Sequence, residues 1–341
     1  MSDMRRREFI TLLAGAAAAW PLAARAQQGE RMRRVGILMP YRKGDAEIDV
    51  RVRALRQELG KLGWTDGANV QFDERWPADD MDRVRSEAAT LIASSPDAII
   101  ATGGRVIPVL TQLTRSIPIV VPGSGDPLGV GWVTSLARPG GNVTGLTVDT
   151  GPEIAEKMLQ LLKEAAPRIS RVAVLLTTRP VGTERRLLHD GGIQLSKLEA
   201  AAERLGITLQ VVTSASRSEF EDAFAVIAAG QADALFVSNS AVSFLHRRLI
   251  LEFALKRGIA GVYPFREFAE DGGLLTYGVD LRDMVRRSTI YLDRILKGAR
   301  PGDLPVEQPT KFELLINLKT ARALGLTIPP SLLQRADQVI E

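Results

Sequence analysis

The feature that most limits how this chain can fold is an alternation between short apolar runs and longer segments with helical spacing. Residues 35–39, 98–101, 117–121, 172–176, 234–237 and 261–263 are strand-length and almost wholly apolar. After the first of them, Val52, Leu55, Leu59 and Leu62 recur at helical spacing until Gly63 ends the run. The same reasoning predicts helices over 48–62, 81–93, 106–113, 152–165, 193–205, 220–229, 243–257, 284–297, 320–324 and 331–340. Asp79 or Asp80 is the expected cap of the second helix. Further strands are expected over 70–76, 208–212, 274–279 and 312–316. Apolar strands separated by amphipathic helices build βαβ units, whose parallel sheets are covered on both faces.

The rhythm breaks once, over 122–150, where Gly and Pro are frequent and Pro139-Gly140-Gly141-Asn142 is a strong turn signal. It then restarts. The expected fold is α/β, with two doubly wound open parallel-sheet lobes and a cleft between them. Lobe 1 takes residues 32–146 plus about 276–304, and lobe 2 takes 147–275 plus about 305–341, with Gly-containing crossovers near 145 and 275. Ligands of open α/β sheets sit beyond the carboxyl ends of the strands, so a site is expected in the interlobe cleft.

The first 26 residues stand apart. Arg5, Arg6 and Arg7 precede a mostly apolar run over 9–20, and Ala24-Arg25-Ala26 supplies small residues at a cleavage site. This is the order of a secretory signal peptide, with cleavage expected after Ala26. Arg6-Arg7-Glu8-Phe9 also fits the twin-arginine pattern. The apolar run is well short of the ~20 residues that span a bilayer. Losing four Arg along with Asp3 and Glu8 lowers the formal charge from +4 to +2. Net charge therefore gives no case for nucleic-acid binding. Residues 27–341 exceed one ordinary core, in line with two lobes.

Composition and motifs remove most catalytic chemistries. The chain has no cysteine, which rules out disulfides, thiol catalysis, Cys-based metal sites and a lipid-modified cysteine anchor. The two histidines, His189 and His246, have no carboxylate or second His at metal spacing and are expected at the surface. There is no Gly-x-Ser-x-Gly elbow, no phosphate loop ending in Gly-Lys-Ser/Thr and no dinucleotide fingerprint after the first strand. Binding is favoured over catalysis, with no catalytic residue, metal or cofactor expected.

Several longer motifs carry a family resemblance. Ile117-Pro118-Ile119-Val120, Gly125-Asp126-Pro127 and the run from Ser135 through Ala137-Arg138-Pro139-Gly140-Gly141-Asn142-Val143-Thr144 to Gly145 form one set. Leu304-Pro305-Val306-Glu307-Gln308-Pro309-Thr310-Lys311-Phe312 with Asn317-Leu318-Lys319-Thr320-Ala321 form another. Together they resemble the ABC-transporter substrate-binding proteins of the tryptophan/tyrosine transport type, over essentially the whole mature chain. The resemblance implies a type I periplasmic-binding-protein fold and a periplasmic solute-binding role. The expected partners are a small solute and an inner-membrane permease with its ATPase, the binding protein itself being a monomer. A periplasmic sensing module that binds a solute and signals to a receptor shares this fold and site.

Candidate ligand-binding residues follow from the strand ends. Asp126, held by Pro127, either accepts a ligand ammonium or forms a turn with its own loop. Thr102, Gly103 and Gly104 open a helix, where backbone amides suit a carboxylate, or else serve only a tight turn. Asn239 and Ser240 hold the equivalent place in lobe 2, where Ser240 is also a candidate helix cap. Tyr41, Arg266, Tyr277 and Asp280 lie in loops expected to face the cleft. Pairing Asp126 with the 102–104 amides points to a small zwitterion or carboxylate, an amino acid foremost.

Overall fold

The computed structural model describes residues 31–341 except 79, 130, 150, 178–188, 191–192 and 215. The expected signal peptide, and Asp79 as a cap, lie outside the described residues.

Five parallel strands form the first sheet: β1 (Arg33–Leu38), β2 (Val70–Arg75), β3 (Ala98–Ala101), β4 (Ile119–Ser124) and β5 (Val143–Thr147), in the order β2-β1-β3-β4-β5. Helices α1 (Ala46–Lys61), α2 (Met81–Ala93) and α3 (Val106–Leu113) connect them. Asp45 and Asp80 cap α1 and α2 by accepting from amides of the first turn. β5 was not anticipated, because Gly145 breaks its apolar pattern. That glycine has φ +128°, and a Cβ there would stand 2.2 Å from the Val121 carbonyl oxygen. Only glycine lets β5 lie this close to β4.

The second sheet has seven strands in the order β14-β13-β12-β11-β10-β6-β9. They are β6 (Arg171–Leu176), β9 (Thr208–Thr213), β10 (Ala234–Val237), β11 (Ala260–Tyr263), β12 (Leu275–Val279), β13 (Phe312–Asn317) and β14 (Gln338–Ile340). A small antiparallel pair, β7 (His189–Asp190) with β8 (Ile193–Gln194), lies apart. The one antiparallel pairing within the seven is β12 with β13, so β13 and β14 run opposite to the other five. The helices around it are α4 (Pro152–Ala165), α5 (Leu195–Arg204), α6 (Phe220–Ala229), α7 (Ala241–Leu245), α8 (Arg247–Arg257) and α9 (Arg266–Glu270). α10 (Leu281–Leu296) returns to pack on α1, β4 and β5 of the first sheet. The chain closes with α11 (Leu318–Ala323), α12 (Pro330–Leu333) and β14.

The chain crosses between the sheets after β5, after β12 and after Glu307. Residues 276–279 lie in β12 of the second sheet, so the return to the first begins at α10. Its last contact is Glu307, whose amide and carbonyl bond Gly145 and Thr147 along β5.

Three expectations are corrected. The helix over 243–257 is two helices, α7 and α8, which meet at His246. The predicted helix over 331–340 is the single turn α12 followed by β14, because Val339 and Ile340 complete the sheet beside β13. His246 is buried, edge-on to Phe220 with centroids 5.3 Å apart, rather than at the surface.

Candidate functional site

The carboxyl ends of both sheets meet at one cleft. Tyr41, just past β1, is buried there, its ring edge-on to Phe244 of α7 with centroids 5.6 Å apart. Burial pushes its phenol up from the ordinary value, against the opposing field of Arg51 and a hydrogen bond with Thr102. Thr102 donates in turn to the Gly123 carbonyl at 3.0 Å. Gly103 has φ +94°, and a Cβ on it would meet Pro40 at 2.9 Å and Ala241 of the facing lobe at 3.7 Å. The two lobes therefore touch through Tyr41–Phe244 and Gly103–Ala241. Gly104 is exposed beside this contact.

On the second sheet a small recess of about 30 Å3, partly open to solvent, lies at the ends of β10, β11 and β12. Val148, Ile154, Met158, Phe236 and Val279 give it apolar walls, and the side chains of Asn239 and Tyr277 are its polar groups. Gly151, at the start of α4, lines it too. No side chain caps that helix, so the first-turn amides after Pro152, which have no intrahelical partner, are not covered by a cap. Tyr277 stacks on Phe312 at 6.0 Å, and burial followed by the charge of Asp337 raises its phenol.

The remaining candidates have partners of their own. Asp126 Oδ1 accepts from the amides of Leu128 and Gly129 at 3.0 and 2.7 Å, an Asx turn. Ser240 caps α7 in a capping box with Ser243 and hydrogen-bonds Thr177 across the strand ends. Asp280 caps α10 through the amides of Arg282 and Asp283. Arg266 pairs with Glu270 and Glu313 at 3.1 and 3.0 Å and donates to Gln338 at 2.7 Å. Glu313 lies opposite Gly278 in the β12–β13 register, beside the recess. Burial raises its carboxyl to about 7 against the pull of Arg266, with the negative charges of Asp280, Glu267 and Asp337 adding to the rise.

The structure thus brings Asn239 and Tyr277 together at the recess and gathers Tyr41, Thr102, Gly103 and Ser240 at the lobe contact. Asp126, Asp280 and Arg266 are engaged elsewhere. The recess walls Val148, Ile154 and Met158 were not singled out from sequence, because core-type residues on a helix carry no mark of facing a cavity. No helix among the described residues is long and apolar enough to cross a membrane.

The chain has well-defined relatives. The tyrosine-binding protein of Clostridioides difficile (strain R20291) is 24% identical over 283 residues, covering 82% of this chain and 77% of the relative. The structure of the ABC domain in complex with L-Trp from Streptococcus pneumonia superposes with a TM-score of 0.80 at 24% identity, covering 91% of this chain and 100% of that one. A conserved domain protein from Vibrio cholerae O1 biovar eltor has a TM-score of 0.80 at 23% identity, again covering 91% and 100%. The family model for the ABC transporter substrate binding protein matches residues 42–340. The chain therefore belongs to the ABC transporter substrate-binding protein family, whose members bind solutes and are not enzymes.

Proposed function

We propose that this protein is the exported solute-binding component of an ABC importer, and that it holds an amino acid or related carboxylate with an apolar, preferably aromatic, side chain. The observation that carries the reading is the recess at the strand ends of the second sheet, apolar-walled with Asn239 and Tyr277 as its polar side chains. Its walls suit an apolar side chain. The amides opening α4 suit a carboxylate, and Asn239 offers both a donor and an acceptor to the ligand's polar end. One relative is a tyrosine-binding protein and another structure holds L-Trp, ligands of the same class. In this reading the chain is cleaved after Ala26, acts in the periplasm as a monomer, and delivers its solute to a permease with its ATPase.

Calorimetry of the refolded protein against aromatic and aliphatic amino acids and their deaminated acids tests the reading. An aromatic member should bind, and Asn239→Ala should weaken it at least ~10-fold, the loss of about one buried hydrogen bond. No binding by any member of the panel, or equal binding by Asn239→Ala, would count against the reading.

A further inference from the structure

Away from the recess, the amino-terminal half of α1 meets α7, α8 and α9 of the facing lobe. Arg51 of α1 pairs with Glu267 of α9 at 2.6 Å, and the side chains are only 6% and 2% exposed. The Arg51 guanidinium lies over the Phe244 ring, 4.4 Å from its centroid, and that of Arg247 lies over the same ring at 4.6 Å. Arg247 also reaches back to Asp45, the cap of α1, at 3.4 Å while holding Asp271 at 2.8 Å. Arg282 joins Glu47 at 2.7 Å and Glu270 at 3.4 Å.

All of these groups belong to the protein, and they face each other only when the lobes are together. We propose that the Arg51–Glu267 pair, with Phe244 beneath Arg51 and Arg247, is a latch that populates the closed form before a solute arrives. Solute entry to the cleft then waits on release of the latch. The latch itself does not depend on which solute binds; only its consequence for capture rests on the cleft being the binding site.

The chemistry makes it firm but releasable. Two charges taken out of water recover their desolvation cost only if every polar atom is paired. Here Arg51 Nε and Glu267 Oε2 are buried without a partner, so the ion pair does not hold the lobes alone. The Phe244 ring beneath Arg51 and the outer Arg247–Asp45 and Arg282–Glu270 pairs add the remainder. Contact with the Phe244 ring favours Arg51 in place, yet opening returns both charges to water and strands neither. Removing one partner is different. It leaves the other charge buried and uncompensated in the closed form alone, which drives the lobes apart. Replacing both by apolar side chains of similar volume removes that penalty and restores closure.

The absence of cysteine makes a clean test possible. Arg85 on α2 and Lys256 on α8 are surface residues with side chains 63% and 74% exposed, one in each lobe. With Arg85→Cys and Lys256→Cys carrying spin labels, inter-label distances are measured on protein unfolded, dialysed and refolded without solute. The expected result is one short distance in the otherwise native chain. Glu267→Gln should lower the closed-to-open ratio at least ~10-fold, equivalent to about 1.4 kcal/mol. Arg51→Met with Glu267→Leu should return the short distance. A native chain already at the long distance overturns the proposal, as does a folded Glu267→Gln variant with an unchanged distribution. If Glu267→Gln fails to fold, the native chain still decides. A chain that binds nothing on the amino-acid panel yet shows the short distance would lose the solute reading and keep the latch.

Discussion

A carboxylate near a strand end is useful to a ligand only if the protein has not already occupied it. Asp126 and Asp280 are occupied, each by two backbone amides. Sequence places both at strand ends but does not tell a turn or cap from a free acceptor, since the same residue type in the same place serves either use. Asn239 was visible for the complementary reason, a polar group just past an apolar strand, whereas Tyr277, expected in a loop, lies in the middle of β12. Glu313 drew no attention in the sequence, where it is one more charge at the start of a strand, yet its buried carboxyl is raised from 4.5 to about 7. A carboxyl with a raised folded value binds its proton more tightly in the native state. Between about pH 4.5 and 7 the folded protein therefore holds more protons than the unfolded one, and this group's contribution to stability falls as pH rises through that window. Glu313→Gln, which stays neutral, should remove the fall. Denaturant melts of both proteins across the window should converge at the acid end and separate in favour of Glu313→Gln at the alkaline end. Parallel curves would mean that Glu313 titrates normally.

At the scale of elements, the apolar strands were the most legible part of the chain. β3 and β10, buried at every position, match their expected bounds, as do α2, α3, α4 and α6. Errors came where tertiary pairing overrides local pattern. β14 reads as a helix end because Val339 and Ile340 acquire meaning only beside β13. β5 was hidden by Gly145 in a Gly-rich stretch. That glycine supports a specific expectation. Gly145→Ala places a methyl group 2.2 Å from the Val121 carbonyl oxygen, at a φ that alanine resists. Neither strand yields without losing pairing, so the substitution should cost more than ~2 kcal/mol in chemical denaturation. A loss below half of that would mean the β4–β5 ladder shifts easily.

On the scale of the whole molecule, the two sheets and the cleft between them followed from the broken rhythm at 122–150. The contacts that join the lobes did not. Arg51 sits beside Val52 on a helix most of whose other charges are at least partly exposed, and nothing local marks it as the partner of a glutamate 216 residues away. The repeated crossings have a consequence in time as well as space. Synthesis runs from the amino end, but the first sheet is covered by α10, whose Met284, Val285, Leu292 and Ile295 are buried in the core next to residues of β1 and α1. The earliest strands to leave the ribosome are thus among the last to be finished. A chain ending at Val279 has every strand of the first sheet and still lacks its cover, and it should bind a hydrophobic dye strongly and melt without a cooperative transition. Until α10 emerges, the nascent protein is unfinished at its beginning, however early its first strands were made.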